Sequence, residues 1–309
     1  MSDLREFLAI EIGGTKLQIV RGNAKGKLTD RWRVEADRAG GGPAICRQIL
    51  NGIDQMRAKG AHPAAIGVGF GGPVNRAAGT IVRSHQIHGW ENFPIRDWLS
   101  KESGLPVIVE NDSNLAAYGE ALKGSGEGFD PVFYFNLGSG VGGGIVIGAQ
   151  IYHGLAPGEA EFGHIRLDRE GTTVESRCSG WAIDRRIREL ARRNPLSVLG
   201  GLAGEATVGE SKFLPEALMR NDPDAKLILG ELAGDLAFGL SHVVQLIHPA
   251  VLVLGGGLAH LGEPLRSAVA EELPKHVMEV FCPPPPLRLA ELGEDAVPVG
   301  ALLLASTLL

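Results

Sequence analysis

The chain is built around the pattern of the stretch Arg5-Glu-Phe-Leu-Ala-Ile-Glu-Ile-Gly-Gly-Thr-Lys-Leu-Gln-Ile-Val-Arg-Gly22. Two short apolar runs, 7–12 and 17–20, flank a glycine turn, and this pattern predicts a β-hairpin. Glycine lets a backbone approach a ligand closely, and successive turn N–H groups can form an anion site. The stretch suits a metal-bound phosphate, although an ordinary hairpin would show the same pattern. The residues that could form such a site are Glu11, Gly13, Gly14, Thr15 and Lys16.

A second copy of the pattern lies at residues 131–148. The apolar strand 132–137 meets the glycine-rich run 138–144 and continues as a strand at 145–147. A motif that recurs once indicates duplication and not a solenoid. Two glycine turns that face each other would hold one phosphate chain from both sides, as a triphosphate nucleotide requires. In the second copy the candidate turn residues are Gly138, Ser139 and Gly140.

Composition narrows the class of protein. The chain has 309 residues, of which 44% are hydrophobic and 21% are charged, so it can bury two cores. Its net charge is −6 and no basic run stands out, which disfavours binding to nucleic acid or to an anionic membrane. The first strand leaves no room for a signal peptide and no apolar run looks long enough to span a bilayer, so we expect a cytoplasmic protein. Three widely spaced cysteines fit reduced thiols.

Two stretches match the Gly-x-Gly-x-x-Gly spacing of dinucleotide-binding proteins. They are Gly67-Gly69-Gly72 and Gly138-Gly140-Gly143. That fingerprint must open a helix and be followed by an acidic residue about 20 positions later. Neither stretch has this context, because the first enters a Pro-Val-Asn turn and the second runs into a strand. We therefore disfavour a dinucleotide site.

Hydrophobic spacing predicts two α/β lobes. The small lobe comprises 1–116 with a C-terminal helix at about 296–309, and the large lobe comprises 117–295. The pattern from 299 to 309 predicts a final helix that packs back on the first lobe. The segment 195–209 predicts a loop or a short irregular helix. The other predicted helices are 45–56, 95–103, 115–123, 181–193 and 224–248, and buried strands are predicted at 65–69, 105–109 and 251–254.

Asp112 is the candidate for acid–base chemistry. It lies where a buried strand ends and a helix begins, in the sequence Glu110-Asn-Asp-Ser-Asn114. A helix cap would explain one such residue, since Asp, Asn and Ser all cap well. It would leave the rest of the cluster without a role. A carboxylate at the carboxyl end of a parallel strand is well placed to accept a proton from an attacking hydroxyl. We favour the general base over the cap.

Three titratable residues, Glu161, His164 and Glu175, lie near a glycine-rich bend. They are weak metal ligands, because neither a cysteine nor a second histidine stands at ligand spacing. As hydrogen-bond partners they suit a polyol, since carboxylates accept from vicinal hydroxyls. For Glu175 a surface charge cluster is the alternative.

Together these motifs resemble the ROK family of sugar kinases and sugar-responsive repressors, within the actin-like ATPase and hexokinase superfamily. The resemblance covers nearly the whole chain. The matching segments are Glu11-Ile-Gly-Gly-Thr-Lys16, Gly72-Pro73-Val74, Glu110-Asn-Asp112, Leu137-Gly-Ser-Gly-Val-Gly-Gly143, Glu161-Phe-Gly-His164 and Leu254-Gly-Gly-Gly257.

The resemblance implies roles for individual residues. Asp112 would be the general base, and ATP with Mg²⁺ would lie at the two glycine turns with Glu11 near the metal, through water or phosphate. Adenosine would lie at Gly255, Gly256 and Gly257. The residues implied to hold the sugar are Gly72, Asn111, Asp112, Glu161, His164 and Glu175.

Three features depart from the family pattern. Glu11 stands where the family has aspartate, and its extra methylene would shift or crowd the magnesium. The segment Gly171–Gly180 lacks the cysteine-rich zinc motif of many members, so we predict no structural zinc. The first strand begins by Phe7, where repressors carry a DNA-binding domain, so we expect no DNA-binding role.

The sequence therefore predicts an ATP-dependent hexose kinase of the actin-like fold, with two duplicated α/β lobes and a central cleft. Its substrate would be a small-molecule sugar, a hexose or N-acetylhexosamine, with a glucose-like sugar as the first candidate. Family members are commonly homodimers or homotetramers. Two alternatives stay open: a catalytically weak sugar sensor, motivated by Glu11, and an actin-like ATPase without a sugar substrate.

Overall fold

The computed structural model describes residues 5–84, 86–155 and 160–309. Groups of strands are followed by one or more helices along the chain. The strands are β1 (Glu6–Ile12), β2 (Lys16–Asn23), β3 (Leu28–Glu35), β4 (Pro63–Phe70), β5 (Val74–Asn75), β6 (Thr80–Ile81), β7 (Val107–Asn111), β8 (Val132–Leu137), β9 (Val141–Ile147), β10 (Gln150–Ile151), β11 (Val251–Gly255) and β12 (Leu287–Leu289). The helices are α1 (Gly41–Ala58), α2 (Ile95–Ser103), α3 (Asp112–Lys123), α4 (Val174–Cys178), α5 (Gly180–Arg193), α6 (Val198–Ala203), α7 (Leu214–Met219), α8 (Pro223–Ile247), α9 (Glu263–Glu272) and α10 (Ala296–Ser306).

The first sheet has the strand order β3-β2-β1-β4-β7. Strands β1 and β2 form the predicted antiparallel hairpin, and β4 and β7 add parallel strands beyond β1. Phe70 of β4 pairs with Asn111 of β7, so these two parallel strands end level with each other. The register therefore brings the segments after β4 and β7 to the same edge of the sheet.

Helix α1 covers the first sheet. Its apolar residues recur at helical spacing, and Ile45, Ile49, Ile53 and Met56 are all buried against this core. The predicted covering helix is confirmed, although it begins at Gly41, before the proline at position 43. Proline fits the first turn of a helix because the N–H groups there have no partner within the helix.

The second sheet repeats the plan of the first, with the order β10-β9-β8-β11-β12. Strand β8 is parallel to β11 and β11 is parallel to β12, just as β1, β4 and β7 are parallel in the first sheet. The duplicated mixed α/β fold is therefore confirmed. One detail of the prediction is wrong: β9 begins at Val141, so Gly142 and Gly143 belong to the strand and not to the turn.

Close packing explains why glycine continues into that strand. A Cβ on Gly144 would lie 2.6 Å from the Cβ of Ala117 and 3.0 Å from the carbonyl oxygen of Ser113. Helix α3 thus approaches β9 more closely than any larger side chain would allow.

Contacts divide the chain into two compact units. The first comprises the described residues of Met1–Gly128, Gly144–Ala160 and Leu292–Leu309, and the second comprises Phe129–Gly143 and Glu161–Glu291. The boundary that we drew near residue 116 stays a prediction. Within the first unit α10 packs on α3, β1 and β4, as predicted for the final helix. A Cβ on Gly300 would lie 1.9 Å from the carbonyl oxygen of Leu115.

Two further segments bear on the sequence expectations. Residues 195–209 contain the short helix α6, capped by the Ser197 hydroxyl, which accepts from the N–H of Gly200. Helix α8 has the length and composition to cross a membrane, with a hydropathy of 1.4 over its most apolar window. From the sequence we expected no apolar run long enough to span a bilayer, and we missed this helix because isolated acidic residues interrupt the apolar sequence. Since 56% of that window is buried within the structure, a core helix is the simpler account.

Candidate active site

At the N-terminus of α3, one residue caps the helix and the next is the candidate base. The Asn111 side chain is the helix cap, since its oxygen accepts from the N–H groups of Ser113 at 2.8 Å and Asn114 at 3.1 Å. Its amide nitrogen donates to the carbonyl of Gly72 at 3.2 Å, joining the ends of β4 and β7. Capping therefore needs Asn111 and leaves the next residue, Asp112, for another role.

Asp112 occupies the first position of α3. Its Oδ1 accepts from the Ser113 N–H at 2.7 Å, while Oδ2 faces the backbone of Gly71, where an added Cβ would lie 3.2 Å away. Burial raises the pKa of Asp112 from 3.8 to about 6, and the negative charge of Glu11 adds to the effect. A carboxyl with such a pKa is ionised at neutral pH and is a stronger base than an ordinary aspartate.

Glu11 projects from β1 beside the first glycine turn. Residue pairing in the hairpin sets Glu11 opposite Gln18, and the Gln18 amide donates to one carboxylate oxygen. The Lys16 ammonium contacts the other oxygen at 3.0 Å. Both oxygens thus have protein partners, which fixes the orientation of the carboxylate.

The first glycine turn is tightly built. The N–H of Gly13 donates to the carbonyl of Lys16 at 2.9 Å and closes the turn. A Cβ on Gly14 would lie 1.6 Å from the side-chain oxygen of Gln86, so any larger residue would displace that side chain.

The buried carboxylate of Glu110 contacts Asn111, although the sequence alone indicated no role for it. Glu110 is 1% exposed, and its Oε1 accepts from the Asn111 N–H and the Asn114 amide, both at 3.0 Å. Its Oε2 contacts Nε2 of His153 at 2.7 Å and Nε of Arg76 at 3.4 Å. Sequence reasoning missed His153 and Arg76 because neither belongs to a motif that includes Glu110.

In the second unit, three predicted site segments meet at Val141. The Val141 N–H donates to Oε2 of Glu175 at 2.9 Å, so this carboxylate supports the turn between β8 and β9. A Cβ on Gly163 would lie 2.3 Å from the Val141 carbonyl oxygen, which places the Glu161–His164 segment against the same strand end. Glu161 and His164 are themselves exposed.

A cavity of about 440 Å³ lies in the second unit beside the other glycine turn. It is lined by Gly138 and Ser139 of that turn and by Gly257 of the predicted adenosine segment. Gly256 has a φ of +82°, and a Cβ there would lie 2.6 Å from the Leu137 nitrogen, so only glycine allows this approach. The lining residues that sequence reasoning did not identify include Trp181, Lys212 and His260.

No group of three or more His, Cys, Asp and Glu side chains that could hold a metal ion occurs in the described part of the chain. At the position of the family zinc motif, Asp168 accepts from the N–H groups of Gly171 and Thr172, both at 2.9 Å. Thr173 and Ser176 form a reciprocal cap on α4. A tetrahedral zinc site needs four nitrogen, sulfur or carboxylate ligands, and this hydrogen-bonded turn does not fit one.

The duplicated sheets and paired glycine turns define a protein of the actin-like ATPase fold. The ROK family model matches residues 7–307, and the chain belongs to this family. A glucokinase from Halalkalibacterium halodurans is 31% identical over 97% of this chain and 94% of its own length.

Solved structures of ROK family proteins also match this chain. A ROK family glucokinase from Streptomyces griseus in complex with glucose and AMPPNP is 30% identical, with a TM-score of 0.85 over 98% of this chain and 99% of that chain. A ROK family transcriptional regulator, a homologue of the E. coli MLC protein, has a TM-score of 0.86 at 20% identity over 98% of this chain and 78% of its own. The likeness to the regulator concerns the fold alone.

Proposed function

We propose that this chain transfers the γ-phosphoryl group of ATP to a primary hydroxyl of a hexose, with glucose as the first candidate. The curated glucokinase relative and the glucokinase structure support an ATP-dependent sugar kinase. The single observation that carries the chemistry is the carboxyl of Asp112, relieved of capping by Asn111 and raised to a pKa of about 6.

Asp112 acts as the general base in this proposal. Its carboxylate takes the proton of the sugar hydroxyl, and the hydroxyl oxygen bonds to the γ-phosphorus while the bond to the bridging oxygen of ADP breaks. Asn111 and Gly72 would hold sugar hydroxyls. Glu161 and His164 would do so as well, since their exposure leaves their polar atoms accessible.

Glu175 has a second task in the proposal. Because it accepts from the Val141 N–H, it fixes the turn that would hold phosphate and can present its other oxygen to the sugar.

The nucleotide is assigned to the glycine turns and the cavity of the second unit. The turn at Gly138–Gly140 would hold phosphate through backbone N–H groups. Gly255, Gly256 and Gly257 allow a close backbone approach, and the indole of Trp181 offers an aromatic face to the adenine.

A magnesium ion fits the first unit only if most of its ligands are waters and phosphate oxygens. Glu11 supplies one carboxylate, already oriented by Lys16 and Gln18, and Mg²⁺ commonly uses few protein ligands. When bound, the ion would neutralise charge on the transferring phosphates. Glu11 would hold it through water or phosphate, and the chain would need no zinc.

The kinase is favoured over the sensor alternative, because two relatives of matching length that are 30% and 31% identical to this chain carry the name glucokinase. We further propose that the protein is cytoplasmic and forms a homodimer or homotetramer. Light scattering of the purified chain would test the oligomeric state.

The experiment that tests the function measures ADP release from ATP and Mg²⁺ with each of a panel of hexoses and N-acetylhexosamines. Each sugar is paired with a control that omits the sugar. The proposal expects sugar-dependent release, strongest with glucose. Sugar binding by calorimetry without any release would return the sensor interpretation, and release that ignores sugar would favour an ATPase of another kind.

A further inference from the structure

Glu110 connects three segments of the first unit, although neither Glu110 nor His153 is among the residues proposed to touch substrate. Its carboxylate accepts from the start of α3, from Arg76 between β5 and β6, and from His153 after β10. Arg76 follows closely on the Gly72 segment, and His153 precedes the connection to Glu161 in sequence. One buried carboxylate therefore contacts Asn111 itself and Arg76, which lies close to Gly72 in sequence.

We propose that Glu110 and His153 are positioning residues that hold Asn111 and Asp112 in place for sugar binding. The inference rests on the proposed function, since it assigns Asn111 to the sugar. Oε1 of Glu110 accepts from the Asn111 N–H at 3.0 Å, and the Asn111 side chain in turn donates to Gly72. A displacement of Glu110 would thus move the residue that caps α3 and precedes the base.

His153 is the strongest partner of the second oxygen. A carboxylate only accepts, so Nε2 of His153 must carry the hydrogen in their 2.7 Å contact. Arg76 is 3.4 Å away and its side chain is 47% exposed, so it competes with water. Without His153 the buried oxygen would lose its short hydrogen bond, and a buried acceptor without a partner is costly. We expect Glu110 to turn toward Arg76 and release the start of α3.

The test compares His153→Leu, which removes the donor, with His153→Gln, which keeps a neutral N–H donor. His62→Leu is the matched control, because His62 is an exposed histidine just before β4 and its backbone N–H, which the substitution keeps, donates to Glu6. For each variant we measure kcat, the KM for glucose, the KM for ATP and the thermal midpoint.

We expect His153→Leu to lower kcat/KM for glucose about tenfold or more, mainly through KM, with the KM for ATP unchanged within about twofold. His153→Gln should recover most of the loss, and His62→Leu should match the wild type. A wild-type glucose KM for His153→Leu would overturn the proposal. So would an equal loss for both substrates, or a glutamine variant as poor as leucine, since either would indicate a merely structural role.

A double-mutant cycle with Glu110→Gln tests whether His153 acts through Glu110. The proposal expects His153→Leu to have little further effect in that background, and additive losses would contradict it. Turnover by the wild type in the same assay distinguishes a failure of the proposed function from a failure of the positioning role. If it turns over no sugar, the proposed function fails, and the same variants are then compared by calorimetric sugar affinity, where equal affinities would overturn the positioning role.

Discussion

Replacing Asp112 by Asn should make the protein more stable at neutral pH while it removes the base. The carboxyl has a folded-state pKa of about 6 against 3.8 when unfolded, and this difference corresponds to roughly 3 kcal/mol. Because the folded pKa is the higher one, the stabilisation is fully present below 3.8 and is lost as the pH rises through about 6. At pH 7 and above, the ionised carboxylate therefore destabilises the fold.

Asparagine removes this penalty and keeps the acceptor for the Ser113 N–H. It also removes a negative charge from the start of α3, which costs about 0.3–1 kcal/mol. The net gain for Asp112→Asn should be about 2 kcal/mol near pH 8 and should vanish at about pH 3, below both pKa values.

Thermal unfolding followed by tryptophan fluorescence measures this difference. A gain of about 2 kcal/mol should raise the midpoint of this 309-residue chain by about 3 °C near pH 8. Asp97→Asn is the matched control, since Asp97 lies in the first turn of α2 but its side chain is 71% exposed. The control should change the midpoint little or lower it slightly. An unchanged or lower midpoint for Asp112→Asn near pH 8 would show that the ionised Asp112 carboxylate does not destabilise the fold.

Four further outcomes follow from the geometry. The kcat/KM of the wild type should fall below pH 6, and Glu11→Gln should move that acid limb to lower pH, because Glu11 raises the pKa of Asp112; a limb that stays in place would exclude this coupling. Gly256→Ala should weaken ATP binding and lower the thermal midpoint, since its Cβ would lie 2.6 Å from the nitrogen of Leu137; calorimetry and melting check both. Trp181→Ala should raise the KM for ATP severalfold and leave the KM for sugar unchanged, and an equal rise in both would argue against an adenine contact. EDTA should abolish turnover until Mg²⁺ is restored, while a lowered midpoint in EDTA would reveal a structural metal.

Much of the fold follows from local sequence. Helix α2 begins and ends at the predicted residues, and the first hairpin lies where its glycine turn requires it. These elements are set by apolar spacing and turn residues, which are local. The start of β9 was not predicted, because glycines at positions 142–144 suggest a turn until the packing of α3 against Gly144 is known.

Local sequence also predicts only part of the candidate site. Sequence identified Asp112 as a candidate base but could not divide capping from chemistry, since Asn111 and Asp112 both cap well. The Ser113 N–H donates to both side chains, and the additional hydrogen bond from the Asn114 N–H assigns the cap to Asn111. His153 is distant from Glu110 in sequence, and a contact that depends on tertiary structure leaves no local pattern.

The role of Asp112 as the base is tested by measuring glucose phosphorylation by the wild type and by Asp112→Asn, alongside calorimetric binding of glucose to both. We predict that the wild type forms phosphorylated glucose, and that Asp112→Asn binds glucose normally but turns over at least about 100-fold more slowly. An Asp112→Asn variant that binds glucose and phosphorylates it at nearly the wild-type rate would contradict the account.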